Sequence, residues 1–251
     1  MKKGIAILLV VFSVFALFAQ GGKEPANQVS SSGEVVKGGT LDIAVKGNPS
    51  SMLSWRLRGP IDRAYGCIIW EKLFNFDESG NPVVMLLDSY EQNPEKLTYT
   101  FHVKQGVYFH DGSELTAEVV KWNLDMYKAE GAQSASFLGN VDSVEVVDKY
   151  TCILHLGVWD SLIPFYMARE GGCGYIQSQE AYEKNGKDWC AKNPVTTGPF
   201  KFVSWNSDVD VVLERNENYW QGEVLLDKVI YHIYQDDSTI QAAFIAGEVD
   251  I

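Results

Sequence analysis

Residues 97–118 read Leu97-Thr98-Tyr99-Thr100-Phe101-His102-Val103-Lys104-Gln105-Gly106-Val107-Tyr108-Phe109-His110-Asp111-Gly112-Ser113-Glu114-Leu115-Thr116-Ala117-Glu118. Within them the side-chain pattern passes from a period of two to that of a helix. Thr98 to Val103 alternates as a strand does when one face is buried. Val107-Tyr108-Phe109 is expected to be a second strand, ended by the Asp111-Gly112 turn. Thr116 is placed to cap a helix, and Glu118 lies in its first turn, where the helix dipole favours an acid. Val119, Val120, Trp122, Leu124 and Tyr127 supply the side that packs. Strand, turn and helix in so short a span predict a mixed α/β chain.

Upstream, Gly39-Thr40-Leu41-Asp42-Ile43-Ala44-Val45 is a further predicted strand, followed by the turn-rich loop Lys46-Gly47-Asn48-Pro49-Ser50-Ser51. Pro60 opens a predicted helix carrying Tyr65 and Trp70, and Leu73 to Phe76 reads as a strand leading into the turn Asp77 to Pro82. Downstream, Val141 to Val147 and Thr151 to Leu156 form a predicted hairpin, and Ser161 to Arg169 a helix with Pro164 in its first turn. Ser178 caps another helix that stops at Asn185-Gly186. Strands are expected at Lys201 to Trp205, Val209 to Arg215 and Lys228 to Tyr234. Asp236 or Asp237 caps a last helix that ends at Gly247. Glu248 to Ile251 reads as the start of another strand without a partner, so the sequence is expected to be cut short within a larger protein.

The chain has 251 residues, 33 Asp+Glu against 21 Lys+Arg, a formal charge of −12 and 46% hydrophobic residues including 12 Tyr, 12 Phe and 7 Trp. That apolar content excludes a disordered chain. Net acidity without a basic block excludes a nucleic-acid binder, which needs clustered cations against phosphates. Met1-Lys2-Lys3 followed by the apolar run Ile5 to Ala19 reads as a secretory signal peptide cleaved after Ala19, with Ala16 as second choice. The run is shorter than the ~20 residues that span a bilayer. No cysteine follows it before Cys67, so no lipid-modified N-terminus is expected. Loss of residues 1–19 removes two lysines and no acid, which takes the charge to −14. Residues 20–37, with Ser30-Ser31-Ser32-Gly33, read as a flexible linker. Four cysteines, Cys67, Cys152, Cys173 and Cys190, allow three pairings in an exported protein, and Cys173 with Cys190 is the preferred pair.

The sequence holds no GxSxG, HExxH or GxxxxGK[ST], and no GxGxxG follows a strand. His102, His110, His155 and His232 are scattered, CxxC is absent, and no metal site, cofactor or catalytic residue is expected. Asp208-x-Asp210 and Asp236-Asp237 fit a hairpin tip and a helix cap better than a hydrolytic carboxylate pair.

Several stretches taken together resemble the solute-binding proteins of ABC importers, in the family of oligopeptide-, dipeptide- and nickel-binding receptors. They are Lys37 to Ala44, Trp70 to Asp77, Leu97 to Glu118, Thr197-Gly198-Pro199-Phe200-Lys201-Phe202, Leu213 to Trp220, and Ala246 to Ile251. The resemblance implies an α/β, periplasmic-binding-protein-like fold of type II, two-lobed and closing by a hinge. Residues 38–75 and 190–251 would belong to the first lobe and 76–189 to an inserted subdomain, with the second lobe missing. It implies an extracytoplasmic or periplasmic, monomeric receptor that captures a small solute, an oligopeptide or dipeptide first, and delivers it to a membrane permease. Members of the family also take nickel complexes, opines or sugars. A secreted carbohydrate-active enzyme or lectin is the alternative.

Most of the matching motif residues are expected to be structural. Ligand contacts are expected instead on loops at strand ends. The loop Gly47, Asn48, Ser50 and Ser51 is a family contact region, although here it runs on into Met52-Leu53-Ser54-Trp55, and Trp55 joins the candidates. Arg169, Glu170, Gly172 and Tyr175, and the turn Thr196, Thr197 and Gly198, are the others. Glycines there would let backbone approach a ligand, and Arg169 or Glu170 would meet a peptide terminus.

Overall fold

The structure, a computed structural model, describes residues 37–57, 59–130 and 133–251. The expected signal peptide and all but the last residue of the expected linker lie outside the described residues. Lys37 already belongs to the fold, through an ion pair to Glu223 at 2.7 Å.

Two four-stranded sheets organise the chain. The first contains β1 (Thr40–Lys46), β8 (Phe200–Asn206), β9 (Asp210–Arg215) and β10 (Lys228–Tyr234) in the order β1-β10-β9-β8. β1 and β10 run parallel, from Thr40 opposite Lys228 to Lys46 opposite Tyr234, and the other pairs are antiparallel. Helix α1 (Pro60–Ile69) covers this sheet. Its Tyr65 and Ile69 pack with Val45, Val211, Leu213, Val229, Tyr231 and Ile233. Pro60 at its first position has no N–H to leave unsatisfied, and the Asp62 carboxylate accepts from the Gly59 N–H at 3.3 Å.

The second sheet is antiparallel, in the order β4-β5-β7-β6, from β4 (Leu87–Asn93), β5 (Thr98–Val103), β6 (Val141–Asp148) and β7 (Thr151–Leu156). Alternation decides its buried face: Tyr99, Phe101 and Val103 of β5 and Cys152, Leu154 and Leu156 of β7 point inward. Helix α2 (Ala117–Ala129) lays Val120, Leu124 and Tyr127 on that face. Each such burial is worth about 1.5–3 kcal/mol relative to exposure. Thr116 Oγ1 accepts from the Val119 N–H at 3.4 Å, so the cap expected from sequence forms. A short hairpin, β2 (Phe74–Phe76) and β3 (Pro82–Val84), and the helices α3 (Ile163–Ala168), α4 (Gln179–Asn185) and α5 (Lys187–Cys190) join the sheets. Ser178 caps α4, and Asp236 caps α6 (Asp237–Ala246), which ends at left-handed Gly247.

Three expectations are corrected, and two strands are added that the sequence did not announce. Val107 to Phe109 is not a ladder strand. The chain turns back at once, with the Phe109 N–H on Ser113 O and the Leu115 N–H on Val107 O, leaving a single bridge between Tyr108 and Glu114. Residues 82–93 supply β3 and β4, which alternation did not announce because of β4 only Leu87 is buried. The end of the chain is not partnerless: Asp250 N–H donates to Asp42 O at 2.7 Å and Ala44 N–H to Ile251 O at 2.8 Å along the outer edge of β1. All four cysteines are free thiols, so the preferred Cys173–Cys190 bond does not form. Both are buried among apolar side chains, which holds the Cys173 thiol up at about 12 and the Cys190 thiol at about 11. Among the described residues no helix is long and apolar enough to cross a membrane.

Candidate functional site

The candidate residues fall in three places. Thr196, Thr197 and Gly198 lie in a buried seam between the two sheets. Its centre is Glu71, only 3% exposed. Its Oε1 accepts from Tyr219 Oη at 2.6 Å and Gln221 Nε2 at 3.2 Å, and its Oε2 from Thr197 Oγ1 at 2.7 Å and Trp220 Nε1 at 2.8 Å. Burial raises the Glu71 carboxyl above the ordinary carboxylate range against the opposing pull of these donors. On the other side His110 donates from Nε2 to Gly198 O at 2.9 Å, and Asn216 Nδ2 donates to the same oxygen at 3.1 Å. The His110 Nδ1 is buried without a partner, and burial lowers the imidazole to about 4, so the ring is neutral. Thr196 Oγ1 donates to Ile69 O at 2.6 Å, and a Cβ on Gly198 would stand 2.9 Å from that same oxygen. Thr196 and Gly198 fasten backbone, and Thr197 holds the Glu71 carboxyl group.

Gly47, Asn48, Ser50 and Ser51 lie at the carboxyl ends of β1 and β10, where open α/β sheets place their ligands. Gly47 is left-handed, φ 87°, with its N–H on Tyr234 O and its carbonyl accepting from Tyr65 Oη at 3.1 Å. Asn48 ties its loop to the turn after β8: its Oδ1 accepts from Trp205 Nε1 and the Asp208 N–H, and its Nδ2 donates to Asp208 Oδ1 at 2.7 Å. Gln235 Nε2, after β10, donates to the same Asp208 oxygen at 3.0 Å. Ser50 donates to Asp62 from both N and Oγ at 2.8 Å, which fixes the loop to the start of α1. Lys46 pairs with Asp237 at 3.0 Å across the exposed strand ends. Ser50, Ser51, Leu53, Arg56, Lys187 and Ala191 border a cavity of about 290 Å³. There Arg56 and Lys187 share Glu130, and these two cations lower its carboxyl. Trp55 turns away into the core, edge-on to Trp122 and Tyr182 at 5.6 and 5.7 Å.

Arg169, Glu170, Gly172 and Tyr175 form the third group, pressed against α3 and α1. A Cβ on Gly172 would stand 2.0 Å from Tyr166 O, so this glycine permits backbone contact within the fold. Glu170 accepts from Lys72 Nζ at 2.5 Å and from Tyr175 Oη, while Tyr175 is buried. Arg169 stays near the surface with its guanidinium 4.9 Å from the Phe137 ring centroid. Gly171 lies beside Arg63 of α1, and Ile61 of the same helix reaches Gly47. Both loops thereby touch α1, at Ile61 and Arg63, two residues apart and on different sides of the helix. Asp208 and Gln235 join the loop after β1 at the strand ends, where no motif in the sequence marks them. Among the described residues no cluster of three or more His, Cys, Asp or Glu is arranged to hold a metal ion.

The family model described as bacterial extracellular solute-binding proteins, family 5, matches residues 81–251. The oligopeptide-binding protein AppA of Bacillus subtilis is 27% identical over 266 residues, covering 99% of this chain and 48% of that protein. Among solved structures, the periplasmic binding protein DppA of Helicobacter pylori, in complex with the peptide STSA, superposes with a TM-score of 0.75 at 27% identity, covering 85% of this chain and 46% of that one. AgaA of A. tumefaciens R10, in complex with agropinic acid, superposes with a TM-score of 0.76 at 30% identity, covering 84% of this chain and 43% of that one. The chain spans under half the length of these relatives.

Proposed function

Because the chain belongs to the bacterial extracellular solute-binding proteins of family 5, we propose that it serves as the extracytoplasmic receptor of an ABC importer, capturing peptides or a related solute for a membrane permease. Its fold is that of the type II periplasmic binding proteins. Residues 38–75 and 190–251 would form the first lobe and 76–189 an inserted subdomain. The division is supported by the first sheet, which draws its strands from both ends of the chain, whereas the second comes wholly from the middle. The observation that carries the receptor reading is the face at the carboxyl ends of β1 and β10. There Asn48, Asp208 and Gln235 lock three loops together, and a rigid polar platform is what selective solute binding requires.

The acid pairs have other employment. Asp236 caps α6, and Asp208 is held in the left-handed turn at φ 62° by Asn48. The homologous proteins are binding proteins, which supports a role without catalysis. Binding to the native state alone stabilises it by mass action, about 2.7 kcal/mol at a hundredfold excess over Kd. A mixed panel of di- to nonapeptides is therefore expected to raise the melting temperature of the mature protein by several degrees. If peptides, sugars, opines and chelated nickel all leave it unchanged, the receptor role is wrong.

A further inference from the structure

The turn between β8 and β9 holds a backbone conformation that burial does not account for. Among the described residues only Leu97 and Asp208 are left-handed without being glycine, at φ 54° and 62°. That region crowds Cβ against backbone oxygen, so a side chain stays there only where its surroundings hold it. Leu97 is packed against the core of the second sheet. Asp208 is exposed, and Val209 beside it is 60% exposed. The Val209 N–H closes the turn on Asn206 O at 3.0 Å.

What holds Asp208 is polar and comes from outside the hairpin. Its N–H donates to Asn48 Oδ1 at 2.9 Å and its Oδ1 accepts from Asn48 Nδ2 at 2.7 Å, so one amide grips both the main chain and the side chain of one residue. Gln235 Nε2 donates to the same carboxylate oxygen at 3.0 Å. Trp205 Nε1 and Ser207 Oγ also donate to Asn48 Oδ1, at 3.1 and 3.3 Å. Hydrogen bonds this exposed add little to stability, because water offers nearly the same partners. They do fix geometry. Gly47 O and Ser50 tie the loop after β1 to α1, and Asn48, between those ties, takes its side-chain partners from the hairpin.

We propose that Asp208 is a positioning residue for solute binding: from the β8–β9 turn it holds Asn48, and through Asn48 the loop Gly47 to Ser51, in the conformation that receives the solute. This rests on the receptor reading and adds to it the element that prepares the site. The left-handed turn and the Asn48 amide select each other. A loop released from them visits the binding conformation for only part of the time, and affinity falls by that fraction.

The test uses the mature protein and the tightest-binding solute from a panel of di- to nonapeptides, sugars, opines and chelated nickel. Affinity is read by calorimetric titration and rates by stopped-flow Trp fluorescence. Asp208→Gly accepts the left-handed backbone and deletes the carboxylate. It is expected to weaken binding about tenfold through slower association, with dissociation unchanged, as a tenfold smaller competent population requires. Its melting temperature should stay at the wild-type value. Asp208→Asn keeps an Oδ1 acceptor and tolerates the same backbone, and should bind within about twofold of wild type. Unchanged affinity in Asp208→Gly overturns the proposal. A loss that appears as faster dissociation, or one that Asp208→Asn does not restore, makes the carboxylate a direct contact and overturns it as well. A lower melting temperature in Asp208→Gly assigns the turn to the fold, with the same consequence. In each of these cases the wild type still binds and the receptor stands. If nothing in the panel binds the wild type, both readings fall.

Discussion

The seam around Glu71 and the face around Arg63 and Arg169 use charge in opposite ways. In the seam a buried carboxylate has four neutral donors and no cation, and a neutral imidazole holds the neighbouring strand on the other side. On the face Arg63 and Arg169 enter no ion pair among the described residues, where Arg56 and Arg215 are the paired arginines. Groups that finish their hydrogen bonding inside the fold hold the fold together, whereas groups left unfinished at its surface are available to a ligand. The motif residues Glu71, His110, Thr197, Gly198, Asn216, Tyr219 and Trp220 all meet in the seam. None of them lies on the open face.

That contrast can be broken most severely at Glu71. Glu71→Ala strands several buried donors at once and is expected to lower stability by about 4 kcal/mol, seen as a large drop in urea midpoint. A loss under 1 kcal/mol would mean the seam is not the anchor described. At His110 the effect is intermediate and depends on pH. Its folded value, about 4, lies below the ordinary 6.5, so the stability it contributes is whole above pH 6.5 and is lost as pH falls through about 4. His110→Gln, which keeps a donor for Gly198 O, should flatten urea midpoints between pH 6.5 and 4. Glu71 works in the other sense: its raised carboxyl favours the fold at acid pH and that contribution fades as pH rises, so Glu71→Gln should remove a loss of stability on the alkaline side of the carboxylate range. A variant curve parallel to that of the wild type would refute either assignment. The smallest stability change belongs to the open face, where the double variant Arg63→Gln with Arg169→Gln should stay within about 0.5 kcal/mol of wild type. A substantial destabilisation would show that those arginines serve the fold.

Much of the scaffold was legible in the sequence. Alternation in Thr98 to Val103 and Thr151 to Leu156 announced β5 and β7, and Thr116, Ser178 and Asp236 announced three helix starts, because each signal acts within a few residues. β4 gave no such signal, since an edge strand with one buried residue has no hydrophobic period to show. Of the candidate site residues, Gly47 to Ser51 form the loop after β1 that their turn residues announced, whereas Trp55, Thr196 and Thr197 lie buried. Arg63 carries no mark in a helix of ordinary amphipathic pattern.

The sequence by itself determined the mixed α/β class, the order of most elements and where several helices begin, because side-chain sterics and capping are local. Tertiary structure alone decided that Thr197 and Tyr219 meet Glu71 across 126 and 148 residues. It also decided that Gly172 lies against Tyr166 O, with no room for a side chain. Those outcomes depend on how sheets and helices pack over long separations, and no short-range pattern in the chain encodes which distant groups that packing leaves satisfied and which it leaves open.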